Sequence, residues 1–130
     1  MAMWNSIILL RGAVVAVLTA CVGAGTAIAG KADVVGIKIR KTSDGLFSFD
    51  VTVKHDDTGW THYADRWDVV APDGRVLGTR KLLHPHEDEQ PFTRSLSGVR
   101  IPAEIATVSV RAHDKLHGEG GAVKTVKVPH

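Results

Sequence analysis

The chain has 130 residues, 44% of them hydrophobic and 23% charged, with 16 lysines and arginines against 14 aspartates and glutamates. That length leaves room for one domain and little else. The near balance of charge argues against a general nucleic-acid binder, which needs a basic face to neutralise phosphates, and against a polybasic membrane-surface module.

The charge is unevenly placed. Residues 1–29 carry Arg11 alone, and every acidic residue lies beyond position 30. Arg11 precedes an apolar run from Gly12 to about Gly25, too short to span a bilayer as a stable helix. Small residues follow, ending in Ala27-Ile28-Ala29, the A-x-A pattern after which signal peptidase cleaves. Residues 1–29 therefore read as a cleaved signal peptide and 30–130 as a single domain, periplasmic or secreted, with no membrane span in the mature protein. Two other readings stand beside this one. The segment could remain as an uncleaved anchor, or Leu18-Thr19-Ala20-Cys21, which resembles a bacterial lipobox, could make Cys21 the lipidated N-terminus of an anchored lipoprotein. Cleavage after Ala29 removes Cys21, the one cysteine. The domain must then hold by its core alone, which about 100 residues can do.

Beyond Ala32 the hydrophobic pattern has period two, with turn signals every eight to twelve residues, as in an all-β sandwich or barrel. Val35, Ile37 and Ile39 mark a first strand, and Ser43-Asp44-Gly45 a turn. Phe47, Phe49, Val51 and Val53 form the inward row of a second strand, the clearest in the chain. A loop from His55 to about His62 leads to a third strand with Tyr63, Trp67, Val69 and Ala71 on one parity. Pro72-Asp73-Gly74 is a hairpin turn, since proline fixes φ and glycine accepts positive φ. A fourth strand runs from Val76 to Leu83. Pro85 and Pro91 bracket a charged loop, and a fifth strand follows from Phe92 to Val99. After a corner at 101–106, Thr107 to His113 form a sixth strand with Val108, Val110 and Ala112 on one face. A glycine-rich loop precedes the last strand, Ala122 to Val128.

Seven antiparallel strands in this order resemble an immunoglobulin-like or fibronectin-type-III-like exported bacterial β-sandwich. The likeness covers nearly all of the chain beyond residue 30 and is architectural. Trp67 resembles the core tryptophan of such domains, whereas the usual inter-sheet cysteine pair is missing. The resemblance implies a fold and leaves the function open.

In such a sandwich the connections alternate between two poles. Turns at 43–45, 72–74 and 101–106 fall at one; loops at 55–62, 84–91 and 113–121 fall at the other. The second pole collects His55, His62, His84, His86, His113 and His117, every histidine except His130. It also collects Asp56, Asp57, Glu87, Asp88, Glu89, Asp114 and Glu119. Imidazoles with carboxylates are a ligand set for Zn²⁺ or Cu²⁺. Proline keeps the backbone extended in His84-Pro85-His86, which sends both imidazoles to one side. His84, His86 and His113 lead as expected ligands, followed by His55, His62 and His117. The methionines are Met1 and Met3, so a thioether Cu(I) site is not expected in the domain.

Catalysis finds little support. No serine sits in a Gly-x-Ser-x-Gly elbow, and the paired carboxylates at 56–57 and 87–89 read as solvated loop charges. Asp65 shares the inward parity of Trp67 and is expected to be solvated or paired with Arg94 or Arg111. The sequence thus describes an exported binding module, not an enzyme, holding a divalent metal at its histidine-rich pole. The alternative is a domain that grips an envelope protein or glycan with Trp60, Glu87, Asp88 and Glu89.

Overall fold

The computed structural model describes residues 30–130, so the expected signal peptide and Cys21 lie outside the described residues. Seven strands form: β1 (Asp33–Ser43), β2 (Leu46–Lys54), β3 (Ala64–Val70), β4 (Val76–Lys81), β5 (Phe92–Arg100), β6 (Thr107–Asp114) and β7 (Lys124–Lys127). They make two antiparallel sheets, β1-β2-β5 and β4-β3-β6-β7, which face each other as a sandwich. Among the described residues no helix is long and apolar enough to cross a membrane.

Alternation sets the core. β2 turns Phe47, Phe49, Val51 and Val53 inward, each fully buried, against Trp67 and Val69 of β3 and Val108 and Val110 of β6. Turn chemistry matches the residues that the backbone demands. Gly45 and Gly74 take positive φ (75° and 93°), and Gly74 donates its N–H to Ala71 at 2.9 Å to close the β3–β4 hairpin.

Three of the five register irregularities among the described residues bear on the parity that strict alternation predicts. β1 and β2 slip between Val34 and Gly36, so Val34 is buried while Val35 is 42% exposed; Ile37 and Ile39 return to the core side. Opposite Ser48, β5 carries a bulge at Ser97-Gly98, with Gly98 at φ 70°, which brings Val99 inward behind Leu96. The β3–β6 pairing slips between Ala64 and Arg66, and Asp65 sits in that irregularity, bonded to His113 and not to Arg94 or Arg111. Asp68, on the outer face, is buried, accepting hydrogen bonds from Thr79 Oγ1 at 2.7 Å and Arg111 Nε at 3.2 Å.

The two poles stand as the alternation requires. Residues 30–32, at the entry to β1, lie at the same pole as loops 55–63, 82–91 and 115–123, because Asp33 pairs with Lys54 at the end of β2. His130 sits at the opposite pole, its Nε2–H donating to Ile105 O at 2.8 Å.

Candidate metal centre

The inward row of β2 continues one alternation past its strand end to His55, and the inward row of β6 ends on Asp114 after Val108, Val110 and Ala112. Both side chains are buried completely. Since the two rows belong to opposing sheets, the residues meet across the sandwich, His55 Nε2 at 2.5 Å from Asp114 Oδ2.

The other ring nitrogen of His55 donates to Asp57 Oδ1 at 2.5 Å. Asp57 is held in turn: Oδ1 also accepts the Ala64 N–H at 3.1 Å, and Oδ2 accepts the His86 N–H at 2.6 Å. The ring is therefore fixed with Nδ1–H on a carboxylate and Nε2 facing the cluster, the arrangement that orients metal-binding histidines. Burial by itself disfavours a charged imidazole, but the bonds to Asp57 and Asp114 and their charges outweigh it, so the His55 pKa is raised above the ordinary value.

Asp114 divides its two oxygens between tasks. Oδ1 accepts the N–H groups of Leu116 and His117 at 2.6 and 2.9 Å, which shapes the turn after β6. Oδ2 faces three imidazoles: His55 Nε2, His62 Nε2 at 2.9 Å and His117 Nδ1 at 3.2 Å. Burial alone would raise the Asp114 pKa, yet the bonds from His117, Leu116 and His55 prevail and hold it well below the usual carboxylate range. One oxygen offers two lone pairs, so three ring nitrogens around it exceed what it can accept.

His55, His62 and Asp114 each present a ligand atom within 4.8 Å of the others. The His55 and His62 rings lie 4.8 Å apart, and the His62 and His117 rings 5.0 Å apart. The carbonyl oxygen of Gly30 faces both Nε2 atoms, 3.2 Å from His55 and 3.3 Å from His62. Gly30 has φ 85°, and a Cβ there would fall 2.8 Å from His117 Cε1, so only glycine brings the backbone this close. The side chains of His62 and His117 are 19% and 35% exposed, which leaves one side of the cluster open to solvent. These residues could hold a tetrahedral ion through two or three imidazoles and one carboxylate, as zinc sites do.

The other predicted ligands are placed elsewhere. His113 alternates with Ala112 and Asp114 and so points to the outer face, where its Nδ1 bonds Asp65 at 2.6 Å. His84 is exposed. His86 is buried, its ring stacked 4.0 Å from that of Phe92, and burial lowers its pKa. Asp114 is the member that sequence reading left among general pole acids. Its signal was an acid in phase with three buried apolar residues of β6.

The residues expected to serve a macromolecular partner lie on the same pole. Trp60 is 62% exposed, with its ring edge-on to Tyr63. Glu87 and Asp88 are exposed, and Glu89 pairs with Arg94 at 3.0 Å.

No family model matches the chain, and no solved structure matches it. The chain is similar to a protein of Halomicrobium mukohataei named "Putative lipoprotein", with 41% identity over 96 residues, 74% of this chain and 47% of that protein. The chain thus spans about half the length of the curated relative it matches.

Proposed function

We propose that this protein is an exported binding module, not a catalyst, which holds a divalent transition-metal ion, Zn²⁺ or Cu²⁺, at its histidine-rich pole. His55, His62 and Asp114 are the ligands, with His117 completing the set and Asp57 orienting His55 from behind. The observation that carries this reading is the convergence of three imidazole nitrogens on one oxygen of a fully buried carboxylate, with the Gly30 carbonyl oxygen beside two of them. A cation at that point would find nitrogen and oxygen donors already gathered around it. Nitrogen and oxygen donors without thiolate or thioether suit zinc or copper(II).

The name of the relative supports an envelope location and favours lipidation at Cys21 over complete removal of residues 1–29. A second reading keeps its own support: Trp60 and Leu116, 62% and 65% exposed, lie in the loops that carry His62 and His117 and suit contact with an envelope protein or glycan.

The test is calorimetric titration of the purified protein with Zn²⁺ and with Cu²⁺, repeated on His62→Ala. His62 is partly exposed, so this variant removes a ligand without opening the core. Saturable binding that weakens at least about tenfold in the variant supports the reading; equal binding by both proteins contradicts it.

A further inference from the structure

We propose that His84 and His86 form a second metal site on the rim of the same pole, distinct from the buried centre and suited to Cu²⁺. Two ring nitrogens of a buried residue carry the argument. The His86 side chain is 4% exposed, yet neither Nδ1 nor Nε2 has a hydrogen-bond partner among the described residues. Buried polar atoms are almost always paired, and an unpaired one calls for an explanation, of which a water or an ion at that place is one.

The loop holds this imidazole rigidly. Its backbone N–H bonds Asp57 Oδ2 at 2.6 Å, its carbonyl accepts Gln90 Nε2–H at 2.9 Å, and its ring lies flat on Phe92 with an interplanar angle of 10°. His84 stands beside it with ring centroids 4.7 Å apart. A metal bound at about 2.0 Å to each of two adjacent imidazoles sets their centroids roughly 4.5–5.2 Å apart. His84 Nδ1 bonds Pro85 O at 3.2 Å, which leaves Nε2 of the exposed ring as the donor to complete a chelate with the fixed one.

The neighbouring charges are mixed: the Arg94 guanidinium, which reaches over the Phe92 ring and pairs with Glu89, opposes a cation at His86, whereas the Asp57 and Glu89 carboxylates favour one. Copper(II) binds nitrogen donors most strongly among the first-row divalent ions, so a site of only two imidazoles selects it over Zn²⁺. The rim site and the buried centre share Asp57, whose Oδ1 holds His55 and whose Oδ2 holds the His86 backbone.

The second site builds on the central reading only through Asp57, and one set of titrations separates them. Cu²⁺ is titrated into the intact protein, His84→Ala and His62→Ala, with the histidine ring resonances followed by NMR. The wild type is expected to bind two equivalents. His84→Ala, a change at an exposed side chain, should keep the equivalent that His62→Ala weakens. His62→Ala should keep the equivalent that His84→Ala loses. A single equivalent that His84→Ala leaves intact and His62→Ala weakens would overturn the rim site while the central reading stands. A single equivalent with the opposite dependence would overturn the central reading and keep the rim site.

Discussion

His55 and Asp114 join the two sheets of the sandwich at one end of its core, with 2.5 Å between Nε2 and Oδ2. They extend β2 and β6, the second and sixth strands, the pair that antibody domains link by a disulfide. A polar tie here must be fully partnered, because an uncompensated charge in the core is costly. Asp57, His62, His117 and the N–H groups of Leu116 and His117 supply those partners.

Replacing Asp114 by Asn converts an acceptor that faces three imidazoles into a neutral amide. Loss of the buried pair is expected to destabilise the domain by about 3 kcal/mol and to lower its melting temperature by roughly 10 °C or more. Thermal unfolding followed by circular dichroism reads this directly. An unchanged midpoint would show that Asp114 carries no such share of the stability.

Asp57 bonds the far side of His55 and the backbone N–H groups of Ala64 and His86, and its Oδ2 lies 3.9 Å from His86 Nδ1. An Asp57→Asn variant should therefore retain metal binding but weaken it about 10–100-fold, as loss of an orienting carboxylate does elsewhere. Competition against a chromophoric chelator measures the change.

The raised pKa of His55 fixes the direction of one pH dependence. In metal-free protein, the stabilisation from the charged ring is fully present below the ordinary histidine value of 6.5 and is lost as pH rises through the higher folded value. Asp114 acts on the acid side: its depressed pKa adds stability above the ordinary carboxylate value of 3.8, lost as pH falls toward the folded value. Urea midpoints in the presence of chelator should thus fall on both sides of a maximum in mildly acidic solution. Metal affinity should run the other way above neutrality, rising as His55 gives up its proton.

Gly30 has positive φ and lies against the ring of His117. Gly30→Ala should displace that ring and cost about 1 kcal/mol from backbone strain. The same change at Gly59, also at positive φ but with no atom within 4 Å of a built Cβ, should show the strain without the displacement. Comparison of metal affinity in the two variants isolates the contact with His117.

Much of this was legible in the residues. Period-two rows such as Phe47 to Val53, with Pro72-Asp73-Gly74 and the other turn signals, specify seven strands, and antiparallel order then sorts the loops to two poles. The bulges at Val35 and Gly98 were not legible, because an extra residue inside a strand leaves the local composition unchanged. For the cluster, the informative signal was phase. His55 and Asp114 continue the buried rows of β2 and β6, whereas His113, one residue out of phase, faces outward. His62 and His117 reach the cluster from loops, where no periodicity directs a side chain.

The most direct measurement is the melting temperature of the protein with excess Zn²⁺ against the same protein in chelator. At about 100 times the dissociation constant, binding to the folded state alone adds roughly 2.7 kcal/mol, so the melting temperature should rise by at least about 10 °C in the wild type and much less in His62→Ala. Coincident melting curves for the wild type in both conditions would contradict the assignment of His55, His62 and Asp114 as a metal centre.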